Sequence, residues 1–236
     1  MSSTSDTVAA IDELVSKINS YAVDVVWDAF MLKEFPGPPH LCFEAAPNGK
    51  VLRACQLLTE ELRFYGKHLL SVTHVERVVL CSRLRDTAGT PCEGCTYSAI
   101  PDTILIDISG PQSRLDSFRS TFHHEFFHLL DYHANYYHPT EWYDLFDAST
   151  EYAATSDYEP RDFVSVYAMT SPNEDKAELY SHLITNYRQI QEMTQSSKVL
   201  AEKVSRLMEL LRHFSSGFDE RFWNRVRQRN WSSNPY

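Results

Sequence analysis

Ser117-Phe-Arg-Ser-Thr-Phe-His-His-Glu-Phe-Phe-His-Leu129 carries Phe118, Phe122, Phe126 and Leu129 at intervals of four and three. That spacing puts apolar side chains on one face of an α-helix, and the helix it predicts runs from about Ser113 to about His133. On such a helix His124 and His128 share a face, because residues four apart are neighbours. Two imidazoles so placed can aim a nitrogen each at one metal ion. Glu125, one position round, is near enough to take a proton from a water polarised by that ion without ligating it.

Working upstream, Thr103-Ile-Leu-Ile-Asp-Ile108 alternates Ile104, Ile106 and Ile108 with Thr103, Leu105 and Asp107. It reads as a half-buried strand stopped by Ser109-Gly110-Pro111. Val75–Cys81 is short and β-branched, a second strand, and a third lies around Tyr97–Ile100. Residues 8–32 hold Ile11, Leu14, Val15, Ile18, Tyr21, Ala22, Val25 and Val26 at helical spacing, up to the break Phe35-Pro-Gly-Pro-Pro39. Val51, Cys55, Leu58, Leu62 and Tyr65 predict another helix closing near Gly66. Downstream, 134–165 is aromatic and irregular, with a short helix at Glu141–Phe146. Helices follow at about 173–192, 197–213 and 218–228, the middle one striped by Leu200, Val204, Leu207 and Leu211. The layout is α+β.

Composition narrows the function classes. A hydrophobic content of 43% is ample for a sizeable core. The net charge of −10, with no Lys/Arg-rich block, makes nucleic acid an unexpected partner. No apolar run approaches the ~20 residues of a membrane span. The start Met1-Ser-Ser-Thr-Ser-Asp6 lacks the basic and apolar regions of a signal peptide. Five cysteines, an odd and sparse set, fit reduced thiols better than a disulfide framework. The expected location is therefore cytoplasmic, or outside the cell by export without a cleavable signal. Cys92-Glu-Gly-Cys95 resembles half a zinc knuckle, with Cys81 a distant third ligand. No second pair accompanies it, so it reads as a turn or a redox-sensitive pair.

A catalytic zinc has three protein ligands and an open position. A third histidine in the His-Glu-x-x-His-x-x-Gly-x-x-His arrangement fails here, because Asp131 and Ala134 occupy the glycine and histidine positions. Glu174 and Glu178, four apart on a predicted helix, are the alternative. One carboxylate could complete the metal site while the other holds a ligand histidine by its second nitrogen. Asp131 lies on the stripe of His124 and His128, placed either to buttress a ligand or as a helix-surface carboxylate.

Phe163-Val-Ser-Val-Tyr-Ala-Met-Thr-Ser-Pro-Asn-Glu-Asp-Lys-Ala-Glu178 resembles the metal-site region of the anthrax lethal factor catalytic domain and the bacterial Pro-Pro endopeptidases. There a Tyr precedes a ligand Glu by seven residues, a second Glu follows four later, and an Asp lies three beyond the second histidine. Tyr167, Glu174, Glu178 and Asp131 match those intervals, over roughly residues 75–180. The chain departs at Phe127, where those relatives place a glycine. The resemblance implies Glu174 as third ligand and Tyr167 as proton donor to the oxyanion. It also implies a peptide or protein substrate lying along an edge strand ahead of the metal helix. Leu105, Ile106 and Asp107 would supply that edge, unless their strand is an ordinary interior one.

The expected fold is thus a small mixed sheet followed by a zincin-type active-site helix, flanked by N- and C-terminal helices. One domain, 1–236, would comprise a helical part (1–70), a catalytic core (71–192) and C-terminal helices (193–236). The expected function is a gluzincin-type endopeptidase with one catalytic Zn2+. Alternatives are an exported effector protease with one host target, or a non-catalytic metal-stabilised binding protein.

Overall fold

The computed structural model describes residues 4–35, 41–86, 88–110, 117–134, 142, 152 and 162–229. The chain divides into two compact units, Met1–Leu129 and Leu130–Tyr236. The fold is mixed α and β: eight α-helices and five strands among the described residues, with helices at both ends. No helix among them is long and apolar enough to cross a membrane. The short helix expected at Glu141–Phe146 lies outside the described residues, apart from Trp142.

In the first unit, helix α1 (Thr4–Asn19) buries Ile11 and Ile18. The predicted helix over 8–32 does not continue beyond it: Ala22 has φ 62°, outside the helical region. Val25 and Val26 instead form strand β1 (Asp24–Val26), and Asp28 caps the short α2 (Ala29–Glu34) by accepting from the Met31 amide at 2.7 Å. Strand β2 (Cys42–Ala45) leads to α3 (Asn48–Val72), which is broken at Gly66 (φ 73°, ψ 164°) and then resumes. The positive φ is one that glycine adopts at little cost.

The sheet is completed by β3 (Arg77–Arg85), β4 (Gly94–Tyr97) and β5 (Ile100–Asp107), in the order β1-β3-β5-β4 with β2 also on β3. β1 and β5 run parallel to β3, whereas β2–β3 and β4–β5 are antiparallel. Val79, Cys81 and Leu105 pack with Leu32 and Leu84 in one apolar cluster. The alternating residues Val78, Leu80, Ile104 and Ile106 are equally buried, so β5 is covered on both faces and not half-buried as its alternation suggested. Helix α4 (Ser117–His133) follows, and the division between the units falls within it.

The second unit is a helical assembly of α5 (Pro172–Thr185), α6 (Tyr187–Thr194), α7 (Lys198–Phe214) and α8 (Glu220–Gln228). Ser171, Ser197 and Asp219 cap three of them, accepting from the amides of Glu174, Leu200 and Phe222 at 3.2, 2.9 and 2.9 Å. The helix expected over 173–192 is interrupted at Asn186, whose φ −137° and ψ 42° are not helical. The core contains Leu179, Tyr180, Leu183, Leu200, Leu207, Leu211, Phe222 and Trp223. It also contains an ion pair that apolar periodicity does not announce. Lys203 Nζ stands 2.7 Å from Asp175 Oδ2, with both residues fully or almost fully buried. Trp142 Nε1 and Tyr152 OH donate to the same oxygen at 2.8 and 2.9 Å, and Lys203 Nζ also donates to the Asp162 carbonyl at 2.7 Å. Desolvation pushes the Asp175 carboxyl up and the Lys203 ammonium down from their ordinary values, against their mutual attraction.

Removing one member of a buried pair leaves the other's charge uncompensated. Lys203→Met is expected to lower the free energy of urea unfolding by about 3–5 kcal/mol. The double variant Asp175→Asn/Lys203→Met should lose distinctly less; an equal or greater loss in the double variant would contradict the account.

Candidate metal centre

Helix α4 owes its orientation to aromatic packing and to a buried polar chain. Tyr65 of α3 stacks on Phe126 with ring centroids 4.3 Å apart, and Phe122 packs beside Phe126 at 6.0 Å. His123, fully buried, links Tyr65 to Glu61. Its Nδ1 is 2.7 Å from the Tyr65 hydroxyl, and its Nε2 is 3.0 Å from Glu61 Oε2. Arg119 Nε donates to the other Glu61 oxygen at 2.9 Å, and the same guanidinium pairs with Glu60. A carboxylate only accepts, so His123 carries a proton on Nε2 and Nδ1 is open to accept from Tyr65. Glu61, fully buried amid Leu58 and Leu62, thereby has both oxygens satisfied.

With His123 held on that side, the next residues turn elsewhere. His124 Nε2 and His128 Nε2 approach to 3.0 Å, with the rings steeply inclined at 79°. His124 and Glu125 are 8% and 6% exposed, and His128 is half-buried. Glu125 lies under strand β4. A Cβ at Gly94 would stand 2.6 Å from Thr121 Cγ2, 2.9 Å from Glu125 Cγ and 3.1 Å from Glu125 Oε1. Only a residue with no side chain fits there.

The expectation that Leu105, Ile106 and Asp107 offer a substrate edge is corrected by the sheet. β5 is interior: Leu105 pairs with Val79 on one side and Cys95 on the other, and Ile106 with Leu80 and Gly94. The Asp107 amide donates to Glu93 O at 2.8 Å. Its carboxylate accepts from the amides of Leu84 and Ser109 at 2.9 and 2.6 Å. Among the described residues the edge on this side is β4, which pairs with β5 alone.

In the second unit, Tyr167 opens a 3-10 turn (Tyr167–Met169) and is 54% exposed. The turn is tied to α5 through Ser165, which donates to Glu178 Oε2 at 2.6 Å and accepts from the Ala168 amide at 3.0 Å. Glu174 lies in the first turn of α5, three residues after the Ser171 cap. Asp131 accepts from Lys176 Nζ at 2.5 Å, both being buried. Sequence reading passed over Glu61, His123 and Gly94. The one signal for Glu61 was a charged residue on the apolar stripe of its helix.

Comparison with known proteins agrees with this architecture. Residues 105–216, a little under half of the chain, match the profile of a family described as "Putative zinc-binding metallo-peptidase". A crystal structure from Bacteroides caccae, described in the same words, superposes with a TM-score of 0.60 over 97% of each chain, at 13% sequence identity. That likeness is one of fold. No curated protein matches the sequence.

Gly94→Ala is expected to destabilise the chain by about 1–3 kcal/mol, the usual range for overpacking. Adding Thr121→Ser removes the nearest clashing carbon and should restore part of the loss, measured by urea unfolding. A single variant as stable as wild type would show that β4 does not press on α4.

Proposed function

We propose that the chain is a zinc-dependent endopeptidase of the gluzincin type, with its ion held by His124, His128 and Glu174. The observation that carries this reading is the 3.0 Å approach of the two histidine Nε2 atoms beside Glu125. Two nitrogens bound to one tetrahedral zinc at about 2.0–2.1 Å stand roughly 3.3 Å apart, so the pair needs little movement to bind it. A glutamate completes a donor set suited to a catalytic zinc with one open position. Glu174 enters as third ligand on the resemblance carried by its spacing from Tyr167 and Glu178. The stretch that matches the zinc-binding family, 105–216, also contains Glu125 and Tyr167.

When bound, zinc supplies a Lewis acid that lowers the pKa of a coordinated water toward ~7 and polarises a carbonyl. Glu125 takes the proton of the attacking water and passes it to the departing amine nitrogen. Its near-complete burial against Gly94 limits the directions its carboxylate can take, which favours a fixed base over a mobile one. Tyr167 donates its phenolic proton to the carbonyl oxygen as negative charge develops there. Glu178 holds the Tyr167 turn through Ser165, a role in positioning. With β5 interior, an extended peptide would pair with the edge of β4.

Purified protein should contain one equivalent of zinc and cleave peptides. Glu125→Ala should keep the metal and lose cleavage, whereas His124→Ala should lose both. A metal-free wild type that still cleaves would sink the reading. Tyr167→Phe should lower kcat by about 10²–10³ with KM little changed. If kcat is unaltered, the oxyanion donor is another group.

A further inference from the structure

Cys92-Glu93-Gly94-Cys95 has no part in the proposed chemistry, yet it lies against it. Cys92 and Cys95 flank Gly94, the residue seated on Glu125 and Thr121. The two cysteines, three residues apart, are both half-buried and packed on the same cluster of Val79, Cys81, Leu84 and Leu105. Cys92 also lines a cavity of about 310 Å³ with Pro91, Asp107, Ser109, Phe118 and Thr121, so a small solute can reach it. Cys92, not Cys95, lines that cavity, so it is the sulfur a solute meets first; the neighbouring Cys95 also holds the Cys92 thiol below its ordinary value. By contrast burial pushes Cys55 up to about 12 and raises Cys81 as well, and such thiols are inert.

We propose that Cys92 and Cys95 form a peroxide-oxidisable dithiol whose closure to a disulfide shifts Gly94 and the β4 edge against Glu125. The consequence for activity rests on Glu125 being the catalytic base. The Cys92 thiolate attacks one peroxide oxygen, the O–O bond breaks, and a sulfenic acid forms as hydroxide leaves. The Cys95 sulfur then displaces the sulfenic oxygen, which departs as water, and the S–S bond forms. In sum two thiols and hydrogen peroxide give a disulfide and two waters, the peroxide accepting both electrons.

Closure must bring the two sulfurs to a bond of about 2.05 Å. Both ends are held: the Cys92 amide donates to Leu84 O at 3.1 Å, and Cys95 pairs with Leu105 in the ladder. The contraction therefore loads the intervening Glu93 and Gly94, which are themselves tied to β5 through Asp107 and Ile106. Gly94 already stands too close to Thr121 and Glu125 to admit a Cβ, so its displacement is felt by the glutamate.

The test treats the full chain with hydrogen peroxide and reads three signals: peptide mass mapping, amide hydrogen exchange and peptide cleavage. Expected are loss of two hydrogens from the peptide holding both cysteines, faster exchange over Gly94–Tyr97, and a fall in cleavage of about tenfold or more. Dithiothreitol should reverse all three. Cys92→Ser should cleave normally when reduced and resist peroxide. No Cys92–Cys95 bridge would overturn the proposal. So would a bridge that leaves exchange and cleavage unchanged, or equal inactivation of Cys92→Ser. A bridge with altered exchange in a chain inactive even when reduced would uphold the dithiol and count against the peptidase reading.

Discussion

Glu61 is a carboxylate with no exposed surface, and the disposition of α4 in the first unit depends on how it is satisfied. An isolated buried carboxylate costs several kcal/mol, so its partners must be held in place. They come from α4 itself: Arg119 on one oxygen and His123 on the other, with Tyr65 closing the chain at the far ring nitrogen. Arg119 and His123 are four apart and share a helix face. Successive residues of a helix are turned by about 100°, so committing His123 to Glu61 sends His124 and Glu125 round the helix. Rotation of α4 about its axis would break this network and the Tyr65–Phe126 stack together.

Much of this was legible because it is local. Phe118, Phe122 and Phe126 recur at helical spacing, and the two candidate ligands are separated by one turn. Helices α3, α7 and α8 were readable for the same reason. β1 and β2 were not, because strands of three and four residues owe their existence to β3, a partner distant in sequence. Val25 and Val26 fit the apolar stripe of α1 by position, and only the positive φ at Ala22 and the pairing with β3 separate them from it. The pairing of His123 with Glu61, 62 positions apart, leaves no periodic trace.

Edge and interior strands are likewise indistinguishable from their own residues. Thr103–Asp107 alternates like a half-buried strand, yet hydrogen bonds on both sides and burial on both faces make it the middle of the sheet. The edge falls to Gly94–Tyr97, a segment of modest hydrophobicity with a glycine at its start. That glycine is explained by a contact and not by a turn: β4 can lie over Glu125 only where no Cβ intervenes. The edge strand and the glutamate are therefore coupled sterically, and a thiol on either side of the glycine is well placed to act on both.

In the second unit the first turns of α5 are similarly over-determined. Asp175 is engaged by Lys203, Trp142 and Tyr152, Lys176 by Asp131, and Glu178 by Ser165. These residues leave the helix in different directions, so no rotation preserves all of the bonds. Apolar replacement of a buried pair is often neutral or stabilising, so stability alone does not account for Asp175 and Lys203. What such pairs add over leucines is direction, because an apolar face tolerates slippage whereas an ion pair at 2.7 Å does not. On this reading the buried ions of the second unit do for α5 what Glu61 does for α4: each fixes the rotation of a helix about its own axis.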